Sequence, residues 1–364
     1  MSAERITLSD LRGYAVARSL FAPTTLQRAI DTLGFVQADP IRAPARAQDL
    51  TLRHRVASYR AGDLEQRYPR LHVEEDYFIN YGFLPRPLHA LMHPRSALRP
   101  WSHARERRSL AILDFVRARR SAHPREVDRH FAHGTVTNDW GGASTATTQL
   151  LDSMHYRGLL RVVRRDNGIR IYAAHEHAPG PADATAGRAR LDALVDVVVG
   201  NYSPLPVGSL GLVVRRLRYA APQFARAIDA ALERAKRRLA HAHVDGVEWY
   251  WPTDEQPAAW NGRIDDRVRF LAPFDPVVWD RRRFELLWRW PYRFEAYTPP
   301  SKRRFGYYAL PLLWREQVIG WANISVKDSR LVTEFGYVAQ APRDRVFRRE
   351  LAAEVERMRS FLRG

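Results

Sequence analysis

Gly158-Leu159-Leu160-Arg161-Val162-Val163-Arg164-Arg165-Asp166-Asn167-Gly168-Ile169-Arg170-Ile171-Tyr172 is the stretch from which the architecture can be read. Runs of β-branched and basic residues flank Asp166-Asn167-Gly168, and Asn-Gly between two such runs marks a tight β-hairpin. Three helical segments precede it. Ala104 to Arg119 is amphipathic, with Leu110, Leu113, Phe115 and Val116 apolar. His123-Pro124-Arg125-Glu126-Val127 opens a short helix with proline near its first position. Ser144-Thr145-Ala146 caps a third, which runs through Leu150, Leu151 and Met154. Three helices and a basic hairpin predict a winged helix over residues 101–178.

Working outward, Thr7-Leu8-Ser9-Asp10 supplies capping residues for one N-terminal helix, and Pro23 opens another through Leu26, Ala29, Ile30 and Leu33. Gly34 stops it. Helix, turn, helix and an extended strand begin a helix-turn-helix module, here residues 1–100. Residues 45–66 read as helical, with Arg46, Arg53 and Arg55 along them, and the aromatic run 76–85 reads as core. Pro179-Gly180-Pro181 is a linker. Helical patterns at 188–200, 207–217 and 222–239, then a strand at 244–251, predict a third winged-helix-like unit over 185–255. From Val268 the period is two, including 284–288, 294–297, 307–313 and 318–326, and a helix closes the chain at 342–362. The expected fold is α+β: tandem winged-helix units, then a β-rich C-terminal domain over 260–364.

Gly34-Phe35-Val36-Gln37-Ala38-Asp39-Pro40 carries the chemistry. Pro40 drives Asp39 out of the helical region, and alternate side chains of an extended segment share a face. Gln37 and Asp39 are therefore aimed the same way, with Arg42 and Arg46 close behind. A carboxylate acts as a base toward water or balances a cation, and a carboxamide orients its partner. The plainer alternative is a loop aspartate capping the next turn, with Gln37 solvated.

Charge narrows the partner. Lys+Arg 58 against Asp+Glu 40 gives +18, and the excess is almost all arginine, whose planar fork matches phosphate. A GC-rich gene favours arginine over lysine but does not explain the deficit of acids. Nucleic acid is the expected partner. Cysteine is absent, which excludes disulfides and thiolate metal sites. No apolar run reaches the roughly 20 residues of a membrane span, and Met1-Ser2-Ala3-Glu4-Arg5 shows no secretory pattern. A monomeric cytoplasmic protein associated with the nucleoid is expected, without membrane contact. His175 and His177, like His241 and His243, sit two apart, but with no third ligand at a recognisable spacing no metal or other cofactor is expected. Phosphate-cradling loops, dinucleotide fingerprints and nucleophile elbows are missing. Finally, Tyr297-Thr298-Pro299-Pro300-Ser301-Lys302-Arg303-Arg304-Phe305-Gly306-Tyr307-Tyr308 reads as two strands around a rigid basic tip. That tip is either a solvated turn or a wedge for a DNA groove.

Gln37-Ala38-Asp39 with Arg46, Leu271-Ala272-Pro273-Phe274-Asp275-Pro276, and the block from Pro300 through Leu313 together resemble the bacterial winged-helix DNA glycosylases, the AlkZ/AlkX (YcaQ-like) proteins. The resemblance runs from about residue 7 to residue 345. It implies tandem winged helices plus a β-rich domain, and excision of N7-alkylated guanine with unhooking of interstrand crosslinks. The family's catalytic motif is Gln, an apolar residue, then Gln or Asp. Gln37 and Asp39 match its AlkX branch, with Ala38 smaller than the usual aliphatic residue. The family's basic hairpin maps onto Lys302, Arg303 and Arg304. Arg42, Arg46, Arg55, Lys302, Arg303 and Arg304 are thus the expected contacts to double-stranded DNA carrying alkylated bases. Gln37 and Asp39 are the expected catalytic pair of a monofunctional glycosylase. The alternative is a non-catalytic winged-helix transcriptional regulator, which needs neither the pair nor the basic tip.

Overall fold

The computed structural model of the chain describes residues 6–96, 100–132, 134–137, 143–328 and 330–363. Met1–Arg5, read above for a secretory pattern, lies outside them. The fold is α+β, and the chain forms two compact units. One holds Met1–Asp63, Val195–Val214 and Leu232–Gly364; the other holds Leu64–Leu194 and Arg215–Ala231.

In the first unit a reciprocal cap starts the helix Leu8–Ser19: Thr7 Oγ1 accepts from the Asp10 amide, and the Asp10 carboxylate accepts from the Thr7 amide. The helix Leu26–Leu33 ends at Gly34, whose φ is +72°. A Cβ there would lie 2.7 Å from Val197 Cγ1, so glycine alone lets the chain turn into the short strand Val36–Gln37. Leu11, Tyr14 and Val16 bury against Trp249, Trp251, Leu271, Val277 and Phe284. An antiparallel sheet of four strands follows in the order Val268–Phe270, Leu310–Trp314, Gln317–Lys327, Arg330–Tyr337. The helix Arg345–Leu362 closes onto it, with Glu354 accepting from the Phe270 amide and the Arg53 guanidinium.

Several expected elements differ. Residues 284–288 are the end of a helix, Arg281–Trp288, capped by Asp280. Its buried positions are 283, 284, 287 and 288, a helical spacing that Phe284, Leu286 and Trp288 disguise as alternation. Residues 294–297 form no strand. The helix expected over 45–66 is broken into Ala47–Leu52 and Asp63–Arg67. The single strand expected at 244–251 is half of a hairpin, Ala240–Val244 with Val247–Trp251. Asp245-Gly246 supplies the two positive φ values of its turn, a signal of the same kind as Asn167-Gly168.

In the second unit, Val73–Tyr77 pairs antiparallel with Tyr81–Pro85, so the aromatic run is a hairpin. The helices His103–Arg119, Pro124–Phe131 and Ala146–Tyr156 and the hairpin Leu160–Asp166/Ile169–Ala174 stand where their patterns place them. Three arginines of this hairpin pair within the unit, Arg161 with Glu74, Arg165 with Glu75 and Arg170 with Asp152, while Arg164 is exposed and pairs with its neighbour Asp166. Glu74, Glu75 and Asp76 are all buried. Much of the hairpin's positive charge therefore holds the unit together.

Candidate active site

Gln37 ends the strand Val36–Gln37, and Asn201 Nδ2 donates to the Phe35 carbonyl at 3.1 Å from one side. The Gln37 side chain is buried, and its Oε1 accepts from Trp279 Nε1 at 2.7 Å. Because an indole N–H only donates, the amide orientation is fixed: the carbonyl faces Trp279 and the NH2 is left as a donor. Trp279 itself packs against buried Tyr202, their ring centres 5.0 Å apart.

Asp39 is half-buried. Its amide donates to Gln48 Oε1 at 3.2 Å, and its Oδ1 accepts from the Ile41 amide at 2.9 Å. The turn-capping role is therefore present, but the capping bond engages one oxygen only. Burial raises the carboxyl above its ordinary value, against the Ile41 hydrogen bond, which lowers it. Tyr308 is buried with a hydroxyl that has no hydrogen-bond partner. Burial, and next the charge of Asp39, hold that hydroxyl well above its usual pKa, so it stays a neutral donor. A half-buried carboxylate, a carboxamide with its NH2 presented and a neutral phenol are suited to handling one water beside a developing cation.

Of the expected DNA contacts, Arg42, Lys302 and Arg304 are exposed, and Arg46 and Arg303 are partly so. Arg55 is not among them. It is fully buried, and its guanidinium grips both oxygens of Asp275 at 2.8 and 3.0 Å and also bonds Ser19 and the Thr51 carbonyl. Its place in a helical pattern of arginines suggested exposure, but the distant Asp275 claims it.

The basic tip is not bounded by two strands: Pro300–Lys302 is a single 3-10 turn, and the first strand after it starts at Leu310. It is held from inside by Glu295, a buried carboxylate that accepts from the amides of Arg304 and Phe305 at 2.9 and 2.8 Å. Asn323 Nδ2 binds the Phe305 carbonyl, and with φ +122° at Gly306 a Cβ would meet Asn323 Oδ1 at 2.3 Å. Prolines and this internal carboxylate do the work of a strand pair. Trp279, Gln48, Glu295 and Asp275 went unassigned from spacing, because each acts on a residue distant in sequence or through the backbone. Asp275 and Tyr308 do fall within the blocks that carry the family resemblance.

A family model described as "DNA glycosylase AlkZ-like" matches residues 30–361. The fold is similar to the solved structure of Streptomyces sahachiroi DNA glycosylase AlkZ, with a TM-score of 0.61, 14% sequence identity and 98% of each chain covered.

Proposed function

The chain belongs to the AlkZ-like DNA glycosylase family, and from that premise we propose that it hydrolyses the N-glycosidic bond of alkylated, cationic purines in duplex DNA. N7-alkylguanine is the base, interstrand crosslinks are among the substrates, and the Gln37/Asp39 pair belongs to the aspartate-bearing AlkX branch. The observation that carries the reading is the fixed Gln37 amide two residues before a half-buried Asp39. An N7-alkylated guanine already bears positive charge, so its departure needs little protonation. The remaining demands are an oxocarbenium-like sugar and an attacking water. The Gln37 NH2 donates to that water and turns its protons toward Asp39, which accepts one as the bond forms; the same negative charge balances the sugar cation. No lysine stands in this set, so hydrolysis without strand cleavage is the expected chemistry. Lys302, Arg303 and Arg304 engage the duplex. Incubation with DNA carrying N7-methylguanine, followed by scoring of abasic sites, tests the reading. Tight binding with no abasic sites would return the chain to a binding role.

Trp279 is a positioning residue in this scheme. Trp279→Phe keeps the ring but removes the donor, at a net cost of about 1 kcal/mol for the lost hydrogen bond. With its carbonyl unclaimed, the Gln37 amide is free to flip, and single-turnover excision should fall about fivefold with DNA affinity unchanged. A matching loss of affinity would instead make Trp279 a DNA contact.

Binding should be electrostatic. With about four phosphate contacts, affinity should drop on the order of 10²-fold between 50 and 200 mM salt. Replacing Lys302, Arg303 and Arg304 together with Ala should lower the log–log salt slope by about 2 to 3. Titrations at several salt concentrations measure both, and an unchanged slope in the triple variant would leave the tip a solvated turn.

A further inference from the structure

We propose that His89, His93, His175 and His177 form a zinc-binding site in the second unit. His175 and His177 follow the hairpin strand Ile169–Ala174, and His89 lies in the helix Arg86–Met92, which ends just before His93. The four rings form a closed circuit with centres 4.3, 4.2, 4.0 and 5.2 Å apart, and both diagonals are 6.2 Å. A ring nitrogen about 2.1 Å from zinc puts its ring centre roughly 3.2 Å from the ion. Four ring centres set tetrahedrally at that distance are about 5.2 Å apart, and the six separations here run from 4.0 to 6.2 Å. The rings are therefore gathered at the spacing of one four-coordinate ion, and the parallel stack of His93 on His177 has to open for both to face it.

Hydrogen bonding sets the rings in the form a metal needs. His89 and His93 each point Nε2 at Asp76 Oδ2, at 3.1 and 3.0 Å. Asp76 is held as a carboxylate by both terminal nitrogens of the Arg95 guanidinium. An ionised carboxylate only accepts, so both Nε2 atoms carry the proton and both Nδ1 atoms carry lone pairs. His177 Nε2 likewise donates to the Gly158 carbonyl at 2.6 Å, which leaves its Nδ1 unprotonated. Metal-bound histidines characteristically donate their other N–H to a carboxylate or a backbone carbonyl in this way. The His93 and His175 Nδ1 atoms are buried with no hydrogen-bond partner. Gly158 makes room for the stack: a Cβ on it would lie 2.6 Å from His93 Nδ1 and 2.4 Å from His177 Nε2. A cavity of about 140 Å³ lined by the four rings gives an ion its way in. Asp76, held by Arg95, orients two rings and is not itself a ligand. Four imidazoles with no thiolate suit a borderline divalent ion, and zinc is the one among these that takes tetrahedral four-coordination without a preference of its own.

The test uses the full chain without a polyhistidine tag, stripped with EDTA, desalted and titrated with zinc chloride, with magnesium as the control ion. We expect about one zinc per chain to survive gel filtration, and a thermal midpoint roughly 5 °C higher at a hundredfold excess over the Kd. Cobalt in the same protein should give the visible absorption of a nitrogen-rich four-coordinate site, a readout that needs no variant. The double variant H175Q/H177Q, altered at two partly exposed positions, should keep the metal-free melting temperature and lose both zinc and the shift. H241Q/H243Q should keep both. Substoichiometric zinc in the unaltered protein, equal binding by H175Q/H177Q, or loss of binding in H241Q/H243Q would overturn the assignment. None of these measurements involves excision, so the outcome is independent of the glycosylase reading.

Discussion

Asp39→Asn should lower single-turnover excision of N7-methylguanine by roughly 10²- to 10⁴-fold, the range for losing a positioned acid–base group. The substitution keeps the shape, and an Asn oxygen still accepts from the Ile41 amide as Oδ1 does at 2.9 Å. What disappears is the negative charge and the basicity. DNA affinity should hold or rise slightly, because one charge that repels phosphate is gone. Stability separates this from a merely structural Asp39. Burial raises the Asp39 carboxyl above its ordinary value of 3.8. The folded state thus takes up this proton more readily than the unfolded chain, so the ionised carboxylate opposes folding above the raised pKa. That opposition fades as pH falls through it. Asn carries no such burden, so Asp39→Asn should melt no lower than the unaltered protein at neutral pH, with any advantage shrinking in acid. A purely turn-capping aspartate gives a different pattern: an unchanged rate per folded molecule in Asp39→Asn, which keeps the capping acceptor, and a lower melting temperature only in Asp39→Ala, which loses it. Excision by the unaltered protein should also decline on the acid side, as pH falls through the raised Asp39 pKa, and the variant's residual rate should lack that limb.

What was legible in the chain followed the range of the interactions. Asn167-Gly168 announced its hairpin because a two-residue turn is decided by those residues alone. Gly34 and Pro40 bracketed an extended segment for the same local reason, and Gln37 and Asp39 were visible on it. The helix Arg281–Trp288 was misread because its alternating apolar letters fit both periods, and only burial at 283, 284, 287 and 288 decides between them. Arg55 was misassigned and Trp279 missed because Asp275 and Gln37, their partners, lie 220 and 242 residues away. The histidines show the same limit. His175 and His177 were read as a pair lacking a third ligand, and the fold brings His89 and His93 beside them from some 80 residues earlier in the chain.

Asp275→Ala should be strongly destabilising, at about 3–5 kcal/mol. Both side chains of the Arg55–Asp275 pair are wholly inaccessible. Removing the carboxylate leaves a guanidinium with no counter-charge and no water, and that loss far exceeds what the intact pair contributes. Arg55→Ala should cost a similar amount, since it strands Asp275 and also the Ser19 and Thr51 carbonyls that Arg55 serves. Arg55→Lys keeps the charge but not the two-pronged grip, and should fall between. Urea midpoints for the two single variants and for a double variant with apolar replacements close the cycle; the double should be markedly less destabilised than the sum of the singles. The effect should reach the chemistry. Asp275 Oδ1 also accepts from the Val277 amide at 3.0 Å, and the Asp275 carbonyl accepts from the amides of Val278 and Trp279. The turn that presents the Trp279 indole to Gln37 is therefore built on Asp275. In Asp275→Ala, excision per folded molecule should decline in the same direction as in Trp279→Phe, with duplex affinity preserved. If Arg55→Ala instead weakened DNA binding while leaving the urea midpoint where it was, Arg55 would be a phosphate contact and the buried pair would not be the keystone of this unit.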